Sequence, residues 1–122
     1  MEQTQQGGLA ELVGEWLTWS EASEQLGVSV SKVRQLIREY QLAGVVPTEG
    51  AGQQVPAALV RDGEIVKGVP GVLTVLHDGG FADAEAVTWL FTPDDTLPGR
   101  PVDALRENRG AEVKRRAQAM AF

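Results

Sequence analysis

The chain has 122 residues, of which 43% are hydrophobic and none is cysteine, and its formal net charge is −6. This length and composition are typical of a globular protein with one domain, or with two small units that share a core. Because it lacks cysteine, a run of about 18 apolar residues and a signal-peptide pattern, the sequence predicts a cytoplasmic protein with no disulfide, thiolate metal site or membrane segment.

The N-terminal region divides into a polar tail and a short apolar segment. Residues 1–8 are polar and lack apolar periodicity, which predicts a disordered tail. A lead-in helix is expected over residues 9–16, where apolar side chains recur at the spacing of one helical face. Trp16 and Trp19 are expected to anchor a small core, because aromatic rings bury a large area per residue.

Residues 17–42 have the pattern of a helix-turn-helix. Thr18 and Glu21 have the spacing of a capping box at the start of the first helix. Gly27 permits the left-handed conformation that ends this helix, and Ser29 is a good N-cap for the second helix. Two short helices joined by a glycine-containing turn predict a helix-turn-helix.

The second helix is predicted to have one apolar and one polar face. Its apolar stripe consists of Val33, Leu36, Ile37 and Tyr40. Its opposite face, called here the outer face, consists of Ser31, Lys32, Arg34, Gln35 and Arg38. A polar and basic outer face on the second helix is the pattern of a DNA-reading helix.

A weak hairpin signal follows, at the place where a winged helix-turn-helix carries its wing. Residues 45–46 are β-branched, residues 50–52 permit a turn, and extended character resumes shortly before Pro56. The turn region contains Glu49 but neither lysine nor arginine. The wing is therefore either structural only, or contacts DNA through backbone amides and the glutamines at positions 53 and 54.

The sequence predicts a mainly α fold: a winged helix-turn-helix domain at residues 9–60, a linker at residues 61–69 and a helical interaction domain at residues 70–122. Proline and glycine mark the ends of the helices in the last part. Its final helix carries a second basic cluster, called here the C-terminal basic cluster, which is either a solvated face or a contact for phosphate or a partner. This cluster consists of Lys114, Arg115 and Arg116.

The overall charge and the local charge give opposite indications about DNA binding. A net charge of −6 argues mildly against nucleic acid, because basic domains are the usual electrostatic footprint of nucleic-acid binding. Residues 29–38, however, contain three cations and no acid. A monomer with so few cations would neutralise few phosphates, so dimerisation or a second basic patch would strengthen binding.

The sequence contains no pattern that indicates an enzyme, a metal site or a cofactor. His77 is the only histidine, and without cysteine or a second histidine it cannot anchor an ordinary zinc site. It is expected to lie at a helix end near Asp78. The carboxylates of residues 94–95 lack the spacing of a calcium loop, and no nucleotide-binding glycine pattern is present.

The N-terminal part resembles the winged helix-turn-helix of the excisionase and MerR group through L-T-W-S-E-A-S-E-Q-L-G-V-S-V-S-K-V-R-Q-L-I-R-E, followed by V-V-P and Q-V-P-A-A-L. The resemblance implies that the helix beginning near Ser29 is the recognition helix and that its outer face meets DNA. It also implies that Thr18, Trp19 and Ser20 lie near phosphates.

From Leu17 to Phe122 the chain is still more similar to a small actinobacterial family of DNA-binding regulatory proteins with an excisionase-like domain and a family-specific C-terminal domain. The segments that carry this likeness are V-S-K-V, L-T-V-L-H-D-G-G-F, W-L-F-T-P-D, R-P-V-D-A-L and V-K-R-R-A-Q-A-M-A-F. More distantly, the C-terminal segments resemble the C-terminal helical domain of Xre-type antitoxins, which binds the toxin and supports oligomers.

Two functional hypotheses follow. In the first, the chain is a nucleoid-associated transcriptional regulator of double-stranded DNA, in which Arg34 and Gln35 meet base edges while Lys32 and Arg38 meet phosphates. In the second, it is a protein-interaction adaptor or antitoxin-like module, whose C-terminal helices bind a partner or a second copy.

Overall fold

The computed structural model describes residues 2–97 and 99–121, and within them the fold is mainly α. The helices are α1 (Glu2–Val13), α2 (Trp19–Leu26), α3 (Val30–Arg38), α4 (Val69–Asp78), α5 (Asp83–Phe91), α6 (Pro101–Arg106) and α7 (Gly110–Ala121). The strands are β1 (Trp16–Leu17), β2 (Val55–Pro56), β3 (Val60–Arg61) and β4 (Glu64–Ile65), and a short 3-10 helix (Ala57–Leu59) follows β2.

The first helix differs at both ends from the prediction. It begins at Glu2, whereas the sequence predicts a disordered tail up to residue 8. Glutamine and glutamate are good helix formers, so they can extend a helix that has nucleated further along the chain. The helix ends before Gly14, whose φ is 86°, and Trp16 therefore lies in β1 rather than in the lead-in helix. The Trp16 Nε1 still donates to the carbonyl oxygen of Ala10, at 3.2 Å.

The helix-turn-helix is confirmed, with the predicted caps. The Glu21 amide donates to Thr18 Oγ1 at 3.0 Å, and the Thr18 amide donates to Glu21 Oε1 at 2.8 Å. Gly27 ends α2 with φ 70°. Ser29 caps α3, because its Oγ accepts a hydrogen bond from the Lys32 amide at 3.0 Å.

The apolar stripe of α3 is shorter than predicted. Val33 and Ile37 are buried and Leu36 is half-buried, but Tyr40 is 41% exposed. Tyr40 lies beyond the helix with φ 60°, so the chain has already left the helical path at this position. Leu42 is the next side chain to enter the core.

The wing, defined here as residues 46–53, is closed by a single bridge. Val45 and Gln54 exchange two antiparallel backbone hydrogen bonds, of 2.9 and 2.8 Å between N and O. The next two residues form β2, which pairs antiparallel with β1 in the register Leu17 to Val55. The predicted hairpin is therefore present in a minimal form, and its second arm is extended by pairing with the strand before α2.

The segment predicted to be a linker is a second hairpin. β3 and β4 pair antiparallel in the register Val60 to Ile65, and both residues of the Asp62-Gly63 turn have positive φ (54° and 80°). An Asp-Gly pair between extended residues is a strong hairpin signal. The sequence indicates a turn at residues 61–64, and the linker prediction lacks only the pairing of the two arms. Val60 and Val66 are buried in one hydrophobic cluster with residues from both halves of the chain, so this hairpin is part of the core.

The C-terminal half is built around α4 and α7, which lie side by side and parallel. A Cβ atom at Gly68 would lie 3.6 Å from Gly110 Cα, and a Cβ atom at Gly79 would lie 2.3 Å from the Cβ atom of Ala121. The two helices therefore begin together and end together, and their ends approach closely because glycine has no side chain. Their buried side chains, together with those of α5 and α6, are Val69, Val72, Leu73, Leu76, Ala86, Val87, Leu90, Phe91, Pro101, Val102, Ala104, Leu105, Val113 and Ala117.

Candidate nucleic-acid interface

The outer face of α3 is presented to solvent by the burial of the opposite side. Val33 and Ile37 are 0% and 7% exposed and hold α3 against the core. Of the five outer-face residues, Gln35 is half-buried and the others are exposed. The structure thus brings together on one surface the candidate residues that the sequence places on this helix.

The cations of the outer face differ in their surroundings. The Arg34 guanidinium carbon lies 5.3 Å from the ring centroid of Trp19, the first residue of α2. Lys32 and Arg38 form no hydrogen bond through their side chains and no ion pair with any residue that the structure describes. Gln35 is engaged, because its Nε2 donates to Glu39 Oε2 at 3.1 Å. Two cations of α3 are therefore free to meet an anion, and the third is held against an aromatic ring.

The candidate hydroxyl groups lie around the ends of α2 and α3. Thr18 and Ser29 use their hydroxyl oxygens as acceptors in the helix caps. A hydroxyl that accepts one hydrogen bond retains its own proton as a donor, so both can still donate to a phosphate oxygen. Ser20 and Ser31 are exposed at the starts of these helices.

The three residues of the C-terminal basic cluster have different surroundings. Arg116 Nε donates to Thr96 Oγ1 at 2.8 Å, and a second guanidinium nitrogen donates to the Thr96 carbonyl at 3.1 Å. Arg116 also lies 3.4 Å from Glu112 Oε2, so its charge is used to hold the loop before α6. Lys114 and Arg115 are exposed.

The loop that Arg116 holds is itself ordered by a carboxylate. The Thr96 amide and hydroxyl donate to Asp94 Oδ1 at 2.8 and 2.6 Å. These two hydrogen bonds, with a smaller contribution from Arg116, lower the pKa of Asp94. The Asp94 carboxylate thus acts as a turn-forming group, and it needs no bound ion to explain its position.

Lys114, in the exposed part of the C-terminal basic cluster, lies away from the end of α3. Tyr40, just after α3, contacts His77 in the last turn of α4. Lys114 and Lys67 instead line a pocket of about 490 Å³ where α4 and α7 begin. A helix of ten residues spans about 15 Å, so Lys67 is separated from the Tyr40–His77 contact by about the length of α4. Lys114, in the second turn of α7, lies nearer the start of the helix pair than its end.

His77 lies at the end of a helix, as predicted, in the last turn of α4. Its Nε2 lies 2.7 Å from Asp83 Oδ1, and its side chain is 11% exposed. Over residues 2–97 and 99–121, no group of three or more histidine, aspartate and glutamate side chains is arranged to hold a metal ion. Over the same residues, every helix is too short or too polar to span a bilayer.

Comparison with known proteins places both halves of the chain in one family. Residues 10–60 match the model described as "DNA-binding protein Rv2175c, wHTH domain", and residues 66–121 match "Rv2175c C-terminal domain of unknown function". The DNA-binding protein Rv2175c of Mycobacterium tuberculosis is 45% identical over 113 aligned positions, which cover 82% of this chain and 76% of that protein.

A solved structure supports the same relationship. The NMR structure of Rv2175c superimposes with a TM-score of 0.79 at 42% identity, over 88% of this chain and 82% of that one. The fold, a winged helix-turn-helix followed by a helical C-terminal domain, is therefore shared with that protein. The chain belongs to the Rv2175c family, whose members combine a winged helix-turn-helix DNA-binding domain with the Rv2175c C-terminal domain.

Proposed function

We propose that this protein is a DNA-binding transcriptional regulator that inserts α3 into the major groove of double-stranded DNA. The proposal rests on the exposure and the charge of the outer face of α3. This face is largely exposed, it includes the cations Lys32 and Arg38, which have no ion-pair partner among the described residues, and residues 29–38 contain no acid. The family relationship supports DNA as the partner.

The proposed roles follow from the chemistry of each side chain. Arg34 and Gln35 can form paired hydrogen bonds with the edges of guanine and adenine, so they are assigned to base recognition. Lys32 and Arg38 are assigned to phosphates, where a charge is needed and sequence is not read. The hydroxyl groups at the starts of α2 and α3 are assigned to the phosphates beside the groove; they belong to the caps Thr18 and Ser29 and to the helix residues Ser20 and Ser31.

The charge of the protein sets an expectation for affinity. Three cations on α3 and none in the wing allow few phosphate contacts by one copy of the chain. We therefore propose that regulation uses more than one copy on DNA, with the C-terminal helices as the contact between copies. Such a protein would act on the nucleoid in the cytoplasm, without catalytic activity or a cofactor.

The direct test is binding of the purified protein to a random-sequence duplex library over a salt series, with selection of the sequences that are retained. The proposal predicts an affinity that falls steeply with salt and at least one enriched sequence. A protein that binds no duplex at low salt would contradict it. Equal retention of all sequences would be consistent with DNA binding but would refute sequence-specific regulation.

A second candidate, a protein-interaction adaptor, is favoured by one observation at the C-terminus. Met120 is 56% exposed beside Trp89, in a groove of about 260 Å³ that also includes Thr96 and Arg116. An exposed methionine next to a tryptophan is typical of protein-binding surfaces. This candidate predicts that Met120→Lys abolishes capture of a partner while DNA binding, if any, is unchanged.

A further inference from the structure

We propose that Trp19 is a positioning residue for sequence recognition, and that the face of its indole ring holds the Arg34 guanidinium ready to meet a base edge. The inference rests on the proposed role of α3 and deepens it. It assigns to Trp19 a function different from both a core anchor and a phosphate contact.

The ring of Trp19 is fixed before any ligand arrives. Trp19 is the first residue of α2, directly after the capping box of Thr18 and Glu21. Its ring is partly buried against the hydrophobic core. The platform on which Arg34 rests therefore belongs to a well-defined helix start.

The polar edge of this ring is turned away from solvent. The Trp19 Nε1 atom is buried and has no hydrogen-bond partner among the residues that the structure describes. A buried N–H cannot donate to a phosphate, so the indole has no polar group to offer DNA. What the ring offers is its π face, with the Arg34 guanidinium carbon 5.3 Å from its centroid.

Contact with the ring face of Trp19 restricts the side-chain conformation of Arg34 without using its N–H groups. A guanidinium has five N–H groups in one plane, and a cation–π contact engages its charge and its face instead of those groups. Arg34 forms no hydrogen bond or ion pair through its side chain within the described part of the chain. Its donors are therefore available for a base, whereas the amide of Gln35 already donates to Glu39.

The position of Arg34 on α3 fits this role. α3 is fixed by the Ser29 cap and by the burial of Val33 and Ile37, so both partners of the cation–π contact stand on ordered helices. Arg34 is the fifth of the nine residues of α3, about one turn from the N-terminal end at which a recognition helix contacts base edges. Restricting a long side chain in advance reduces the entropy that is lost when it binds.

The test is a double-mutant cycle on the full-length protein, using the duplex selected from the random library and a scrambled duplex. Trp19→Leu is expected to reduce the preference for the selected duplex by about two- to tenfold and to leave the salt slope unchanged. Trp19→Phe retains an aromatic face and is expected to retain most of the preference. In an Arg34→Ala background, Trp19→Leu is expected to have no further effect.

Several results would overturn the inference. If Trp19→Leu lowers the affinity for both duplexes equally, or has the same effect in the Arg34→Ala background, then Trp19 acts only through the fold. If Trp19→Leu does not fold, Trp19→Met takes its place as the variant without an aromatic face, and an unchanged preference in Trp19→Met contradicts the role. A wild-type protein without sequence preference refutes the proposed function as well. A wild-type preference that Arg34→Ala removes but Trp19→Leu leaves intact refutes only the positioning role.

Discussion

The ring of Tyr40 stacks on the ring of His77, with 3.8 Å between the ring centroids and 19° between the ring planes. Tyr40 follows α3 and His77 lies in the last turn of α4, so this contact joins the end of the candidate DNA-reading helix to the C-terminal helices. Tyr40 has a φ of 60°, which is unfavourable for an aromatic residue. The stack offsets part of this strain, and the 2.7 Å contact between His77 Nε2 and Asp83 Oδ1 holds the ring on which Tyr40 packs.

The stack predicts an energetic coupling between Tyr40 and His77. Tyr40→Ala and His77→Ala are each expected to destabilise the protein, and the double variant is expected to lose less than the sum of the two. Aromatic pairs contribute about 0.5–1.5 kcal/mol beyond the area that they bury, which sets the size of the coupling. Urea unfolding of the four proteins measures this coupling, and additive losses would show that the rings do not interact in solution.

Two substitutions on α3 separate base recognition from phosphate contact. Arg34→Ala is expected to weaken binding to a preferred duplex by about 1–3 kcal/mol and to relax the sequence preference. Lys32→Ala is expected to weaken binding to all duplexes alike and to reduce the salt slope by about one. Titrations of both variants on preferred and random duplexes make the comparison, for which Lys114→Ala serves as a control cation outside α3. Wild-type binding by both α3 variants would refute the assignment of this helix.

The close approach of α4 and α7 predicts opposite effects for two glycines of one segment. In Gly79→Ala the new Cβ would lie 2.3 Å from the Cβ of Ala121, so the helix ends must separate, at a cost of about 1–3 kcal/mol. Gly71 has no atom within 4 Å of an added Cβ, and Gly71→Ala is expected to stabilise α4 by up to about 1 kcal/mol. Thermal melts of the two variants test the packing, and equal effects would contradict the parallel contact.

The Arg100–Asp103 pair predicts a small acid-sensitive contribution to stability. Arg100 donates two side-chain hydrogen bonds to Asp103, at 2.9 and 2.8 Å, and these lower the pKa of Asp103. A depressed pKa in the folded state stabilises the protein above the unfolded-state pKa of about 3.9, and this contribution is lost as the pH falls through the folded-state pKa. Because the pair is partly exposed, the contribution is expected to stay below about 1 kcal/mol.

This contribution is measured by comparing wild type with Asp103→Asn in urea, at neutral pH and at progressively lower pH. The difference in the free energy of unfolding is expected to be present at neutral pH and to shrink below about pH 4. Asp95→Asn removes the same charge from an exposed position and serves as the control. A difference that is constant down to low pH would show that ionisation of Asp103 does not contribute.

The helix-turn-helix was predictable from the sequence because its signals are local. The Thr18–Glu21 capping box, the left-handed Gly27 and the Ser29 cap each depend on residues within one helical turn. The spacing of Val33 and Ile37 also determines which side of α3 is buried, and therefore which side is offered to DNA. The composition of the candidate interface follows directly from these local signals.

The departures from the prediction depend on contacts between distant residues or, in one case, on the pairing of two arms beside a turn that the sequence shows. Trp16 is at helical spacing from Leu12 but joins β1, because Gly14 ends the helix and Val55–Pro56 supplies a strand to pair with. Arg116 belongs to a sequence cluster of cations, but Thr96, 20 residues away, engages its guanidinium. The contact of Arg34 with Trp19 likewise depends on how α2 and α3 pack. The second hairpin is the exception, since its Asp62-Gly63 turn was visible in the sequence.

The central claim, that α3 is the DNA-contacting element, is tested most directly by NMR mapping of backbone amides during titration with duplex DNA. The account predicts that the largest chemical-shift changes occur in α3 and at residues 18–20, and that they diminish in Lys32→Ala. If the largest changes instead occur in α5 and α7 while the amides of α3 do not respond, DNA recognition by α3 is refuted.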